Sequence, residues 1–133
     1  MPEPEQLSRA RAHMQASAWA EALEELQQVE VQGLEDIAAA EQRWCTGRCL
    51  RGLDRLEEAL ELQTTLARED EESGRASGLV AEELGELYLA LGREEEARPW
   101  LARAWVLLSS DRVIVQRDTE RLTRLQRLAG LGF

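Results

Sequence analysis

Three segments of the chain follow one scheme, in which a helix-forming stretch and a tight joint lead to two acidic or small residues and then an alanine. They read SAWAEALEEL at 17–26, GLDRLEEALEL at 52–62 and LGREEEARPWL at 91–101, and their alanines are Ala22, Ala59 and Ala97. The alanines are 37 and 38 residues apart. Self-similarity at such a period is typical of repeat proteins, whose units bury their apolar faces against one another.

The composition favours helices throughout. Leu, Ala, Glu and Arg dominate, and β-branched residues are scarce. Apolar residues recur at spacings of three and four, as at Ala97, Leu101, Ala104 and Leu108, which places them on one helix face. We predict an all-α fold with seven helices, at 3–16, 18–32, 35–52, 55–72, 75–91, 94–109 and 112–129. Joints this short favour antiparallel packing of consecutive helices.

The third unit contains Leu84-Gly85, Tyr88, Ala97, Leu101 and Ala104. This order of a Leu-Gly pair, a Tyr, an Ala, a bulky residue and a small residue resembles the pattern of a tetratricopeptide repeat (TPR). Ala81 and Ser109 replace the family's early Trp and closing Pro. The second unit offers Gly47, Leu50, Ala59 and Leu66, with Gln63 in the bulky position, and the first offers Ala10, His13, Ala22, Leu26 and Val29. These units exceed the usual period of about 34 residues by roughly one helical turn, as in the longer TPRs of bacterial regulators.

The resemblance implies a right-handed stack of antiparallel helical hairpins in a single domain, 1–133. Its repeats would span about 3–33, 35–73 and 75–110, followed by a capping helix at 112–129. Solenoids need such a cap to hide the last apolar face. The alternative is that this last helix, which carries four arginines beside an apolar stripe, binds a partner.

Gly85 lies inside a predicted helix, where glycine costs about 1 kcal/mol relative to alanine. In a helical hairpin, a residue without a side chain lets two helices approach. We therefore expect Gly85 to pack against Ala97, and Gly47 against Ala59. Gly92 is expected to end its helix in the left-handed conformation. Pro99 falls too far into its helix for the first turn, so we expect a lost backbone hydrogen bond and a slight bend there.

The charge of the chain argues against several classes of partner. Its formal net charge of −10 disfavours both nucleic-acid backbones and anionic membrane surfaces. The N-terminal sequence MPEPE is acidic and unlike a signal peptide. The run AWVLLSS at 104–110 is too short to span a bilayer. We expect a cytoplasmic protein.

Candidate catalytic and metal-binding residues are few. His13 is the only histidine and takes a position that the family gives to a packing residue. Cys45 and Cys49 lie four residues apart, but a zinc site needs about four ligands, so we predict packing thiols. No phosphate-binding loop or nucleophile motif occurs in the sequence. We expect no cofactor, no metal and no enzymatic activity.

A binding surface is what the resemblance offers instead, because TPR arrays line a concave groove with the first helix of each repeat. Carrying those positions over predicts a partner-binding groove formed by Glu41, Trp44, Arg48, Arg51, Leu79, Glu82, Glu86 and Leu89. Trp and Arg are common interface anchors, which favours Trp44, although it could instead pack against the first unit. Trp19, Trp100 and Trp105 lie on second helices and are expected in the core.

The charges in this groove restrict its ligand. TPRs that hold acidic C-terminal tails use Lys, Asn and Arg, and this chain contains neither Lys nor Asn. A groove with arginines on one helix and acids on another suits a peptide or helix of both signs, or one with basic groups and apolar anchors. We therefore predict a bacterial adaptor or regulatory module that binds another protein. A self-assembling unit that forms a homodimer is the alternative.

Overall fold

The structure is a computed structural model that describes residues 3–29 and 34–131. Those residues form helices and turns without strands, which confirms the predicted fold class. The eight helices described are α1 (Glu5–Gln15), α2 (Trp19–Gln27), α3 (Asp36–Gly52), α4 (Leu56–Glu72), α5 (Gly78–Ala90), α6 (Glu94–Leu108), α7 (Arg112–Arg117) and α8 (Thr119–Leu128). The chain divides into two compact units, Met1–Leu62 and Gln63–Phe133.

Three of the predicted helices differ from the structure in number or by three or more residues at one end, and the others differ by one or two residues. The helix predicted at 112–129 is two helices, because Asp118 (φ −140°, ψ 50°) leaves the helical conformation. Its N–H donates to the Ile114 carbonyl, and its own carbonyl accepts from Leu122. The helix predicted from residue 75 begins at Gly78, since the Ser77 hydroxyl caps it by accepting from the Val80 N–H at 3.3 Å. The helix predicted at 18–32 ends at Gln27, and its predicted end at 30–32 and Gly33 lie outside the described residues.

The repeat is visible in the backbone of three turns. Ser17, Asp54 and Gly92 take the left-handed conformation, with φ of 57°, 62° and 75°, which confirms the prediction for Gly92. The N–H of the next residue in each turn closes it by donating to a carbonyl five residues earlier, at 2.8 Å in all three cases. The acceptors are His13, Leu50 and Tyr88. Such a 6→1 bond after a left-handed residue is the Schellman motif, and Ala22, Ala59 and Ala97 lie fully buried five residues beyond the turns.

The unit Met1–Leu62 packs α1, α2 and α3 together. Its fully buried side chains include Leu7, Leu26, Cys45 and Cys49. The indole of Trp19 lies directly over the last residue of α3, since a Cβ placed on Gly52 would come within 2.5 Å of its ring atoms Cδ2 and Cγ. The absence of a side chain at Gly52 therefore makes room for Trp19.

The unit Gln63–Phe133 is built around the hairpin of α5 and α6, which are joined at two glycines. A Cβ on Gly85 would lie 2.5 Å from Leu101 Cδ2, and one on Gly78 would lie 2.7 Å from Leu108 Cδ2. The side chain that meets Gly85 is thus Leu101, one helical turn beyond the expected Ala97. Both glycines and both leucines are seven residues apart, so antiparallel α5 and α6 meet twice in one register.

The apolar side of this hairpin is covered by α8. Leu125 is fully buried, and Leu122, Leu128 and Ile114 pack partly buried against the same cluster, which consists of Ala81, Ala97, Leu101, Ala104, Leu108 and Leu125. Trp100 and Trp105 also pack against the cluster while partly buried. Pro99 lies within α6, which continues through it from Glu94 to Leu108.

Candidate partner-binding surface

Four of the predicted groove residues, Glu41, Trp44, Arg48 and Arg51, lie on α3, and all four are partly buried. Glu41 is held by an ion pair within its own unit. The Arg11 guanidinium donates to both of its carboxylate oxygens, with 2.9 Å between Nε and Oε2, and Arg11 also pairs with Glu3. These hydrogen bonds raise the pKa of Arg11 above its usual range, and the hydrogen bond to Glu41 has the largest effect. The Glu41 carboxylate therefore joins α3 to α1.

Arg48 lies over an aromatic ring. Its guanidinium carbon is 4.1 Å from the centre of the Trp19 ring, a cation–π arrangement. Because Trp19 also covers Gly52, the indole lies between two residues one turn apart on α3. Arg48 thus contributes to the packing of α2 on α3 as well as to any binding surface.

The other four predicted residues lie on α5. Leu89 packs partly buried against the apolar cluster, and Leu79 is 37% exposed. Arg121 donates to both oxygens of Glu82, with 2.8 Å between Nε and Oε2. Arg124 does the same to Glu86, with 3.1 Å between Nη2 and Oε2. The hydrogen bond to Glu82 also raises the pKa of Arg121.

The sequence analysis did not predict these contacts between α8 and α5, and it assigned Glu82 and Glu86 to the binding of a ligand. A signal for them is present in the sequence. The acids are four residues apart and the arginines three apart, and each ion pair spans 39 or 38 residues, about one repeat. Spacings of three and four put each pair of side chains on one helix stripe.

The cysteines are both buried, as predicted for packing thiols. Burial, followed by the negative charge of Glu41, raises the pKa of Cys45 to about 12. The thiol therefore stays protonated and unreactive near neutral pH. Across the described ranges, no group of three or more His, Cys, Asp or Glu side chains is placed to hold a metal ion. Within those ranges, too, every helix is too short or too polar to cross a bilayer.

Comparison with known proteins identifies the fold. No protein-family model matches the sequence, and no curated protein matches it. The crystal structure of the type III secretion translocator chaperone SycD from Yersinia enterocolitica, in an alternative dimer, is similar with a TM-score of 0.70. The similarity covers 93% of this chain and 89% of SycD, at 18% sequence identity. The fold is that of TPR-like helical hairpins.

Proposed function

We propose that the chain is a protein-binding adaptor of the bacterial cytoplasm, which holds a peptide or helix of another protein in a concave groove and has no catalytic role. The observation that carries this proposal is the TPR-like hairpin fold, shared over 93% of the chain with a protein whose title calls it a translocator chaperone. A chaperone of that description acts by binding other proteins.

The residues of α3 support a protein partner. Trp44 is partly buried, so part of its side chain is accessible to solvent. Arg51 lies seven residues later on the same helix, which is nearly two full turns. An aromatic anchor with a nearby arginine is a frequent arrangement at protein interfaces.

The test compares partner capture by Trp44→Ala and Arg51→Glu with capture by the unaltered chain from a bacterial lysate. Loss of an anchor costs about 2 kcal/mol or more, roughly a thirtyfold loss of affinity. Arg98→Glu on the exposed side of α6 makes the same charge change and is the control. Arg48→Glu is less suitable because Arg48 also packs on Trp19.

Thermal melts accompany each variant, since lost capture in an unfolded chain would be uninformative. Undiminished capture by both variants, with unchanged melts, would remove α3 from the binding surface. A collapsed melt for Trp44→Ala alone would place this ring in the core and leave Arg51→Glu as the test of the groove.

Self-assembly is the second candidate function, and two observations favour it. The SycD structure is titled a dimer. Three valines of the unit Gln63–Phe133 are also exposed, namely Val106 at 56%, Val113 at 58% and Val115 at 41%. Exposed apolar side chains favour association where they form a contiguous patch. Light scattering over a dilution series would measure the mass, and a constant monomer mass would reject this candidate.

A further inference from the structure

The contact of α8 with the α5–α6 hairpin resembles the binding of an amphipathic helix to a receptor surface. Leucines at 122, 125 and 128 enter the apolar cluster, and arginines at 121 and 124 pair with the acids of α5. Apolar anchors at these helical spacings, flanked by charges that match the receptor, are typical of helix-in-groove recognition.

The ion pairs define which helix this surface accepts. Glu82 and Glu86 have side chains only 13% and 15% exposed, so little of either carboxylate remains open to water. Each receives two hydrogen bonds from one guanidinium. Bidentate pairs of this kind require arginine in a defined geometry, which lysine cannot supply. The surface is therefore selective for a helix that carries two arginines three residues apart next to leucines.

The charge distribution of the chain agrees with this selectivity. Residues 112–133 contain five arginines and two acidic residues, whereas the chain as a whole carries a net charge of −10. The segment that covers the hairpin is thus opposite in charge to the rest of the chain, and a basic helix from another protein would be attracted to the same place.

The linkage between α6 and α8 gives α8 little additional anchoring. The six-residue helix α7 contains no fully buried residue and contacts the cluster through Ile114, which is partly buried, and Asp118 separates α7 from α8 with a non-helical backbone. The hairpin beneath is held by its own contacts, from Gly85 to Leu101 and from Gly78 to Leu108. α8 can therefore leave without breaking the contacts that join α5 to α6.

We propose that the acidic and apolar face of α5 and α6 is a docking site for an arginine- and leucine-containing amphipathic helix of a partner protein, and that α8 occupies it until the partner displaces it. This proposal rests on the proposed function as a protein-binding adaptor and specifies the chemistry of one partner segment. A tethered helix competes at an effective concentration on the order of millimolar, so α8 would raise the threshold that a partner must exceed.

The experiment measures binding of a fluorescent synthetic peptide with the sequence of residues 118–131 to the full chain by anisotropy. In R121E/R124E, the new carboxylates face Glu82 and Glu86 and weaken the internal contact. We expect this variant to bind the peptide about tenfold more tightly than the unaltered chain, in which α8 competes. R112E/R117E carries the same net charge on exposed positions of α7 and should bind like the unaltered chain.

A charge swap tests the specific pairs. Adding E82R/E86R to R121E/R124E restores internal pairing with the signs exchanged and should abolish the gain in peptide binding. Equal binding by R121E/R124E and R112E/R117E would overturn the proposal, since attraction would then depend on net charge alone.

Hydrogen exchange on the unaltered chain provides a measurement that does not depend on any variant. Saturating peptide should remove the protection of amides in 119–128 while those of α5 and α6 remain protected. Unchanged protection of α8 would overturn the proposal, and so would a dimer in which two copies exchange α8, because the occupant would then be a second copy. These outcomes are separate from the Trp44 test, which can succeed on α3 whether or not α8 is displaced.

Discussion

Alanine at position 85 sets helix propensity against packing, and the structure decides which effect is larger. In an open helix, Gly→Ala stabilises by about 1 kcal/mol. In α5, the added Cβ would lie 2.5 Å from Leu101 Cδ2 and 2.7 Å from Leu101 Cγ, whereas carbon atoms pack best at about 3.5–4.0 Å. Leu101 is fully buried and its backbone N is only 3.4 Å from the new atom, so neither the side chain nor the helix has free space to retreat.

Overpacking in a core costs about 1–3 kcal/mol, from which the propensity gain of about 1 kcal/mol is subtracted. We expect Gly85→Ala to lower the free energy of unfolding by up to about 2 kcal/mol, which at that upper end is a fall in melting temperature of roughly 6–10 °C for a domain of this size. Gly85→Leu should cost more and remove the cooperative unfolding of the unit Gln63–Phe133. Urea unfolding followed by circular dichroism measures both variants.

A double-mutant cycle with Leu101→Ala isolates the cause. Removing the leucine side chain makes room for the alanine at 85, so the double variant should be more stable than the sum of the single changes predicts. A Gly85→Ala chain that melts at or above the unaltered chain, together with an additive cycle, would refute the packing argument.

Gly52→Ala should destabilise the unit Met1–Leu62 by about 1–3 kcal/mol, because its Cβ would lie 2.5 Å from the Trp19 ring; an unchanged melt would contradict that contact. Since burial raises the pKa of Cys45 to about 12 from 9.0, the thiol should react with iodoacetamide at pH 8 only after unfolding. The same shift should lower stability as pH rises from about 9 towards 12, because the unfolded chain loses this proton first; labelling of the folded chain would contradict the burial. Truncation after Asp111 should cause aggregation or loss of helix, since it uncovers Leu101 and Leu108; a monomeric and fully helical truncation would show that α8 is dispensable as a cover.

The all-helical fold and the repeat could be predicted from the sequence because both depend on the spacing of residues within short segments. The alanines at 22, 59 and 97 mark three turns of the same backbone form, and all three are buried. The residue that adopts the left-handed conformation could be predicted only at Gly92. Ser17 and Asp54 adopt it although residues other than glycine seldom do, because the 6→1 bonds and buried alanines around them stabilise the turn.

The candidate site was less predictable because it depends on side chains from distant segments. Trp44 and Arg51 were assigned from position alone and their role stays a prediction. Glu82 and Glu86 were predicted on the helix that corresponds to α5. Predicting their partners on α8 would have required knowing how Leu125 packs. The contact of Arg48 with Trp19 could not be predicted, because a sequence pattern marks Trp19 as apolar without giving the direction of its ring.

The two glycine–leucine contacts of α5 and α6 restrict how this chain can change length in evolution. An insertion of one residue inside α6, between Ala97 and Leu101, would turn the rest of that helix by about 100° relative to its first turn, and both leucines would leave their glycines together. Neither contact could then be restored by a single substitution, so any sequence that carried the insertion alone would fold poorly. Insertions and deletions in related sequences should therefore fall outside α5 and α6. An alignment in which these two helices keep their length while other segments vary would support this constraint.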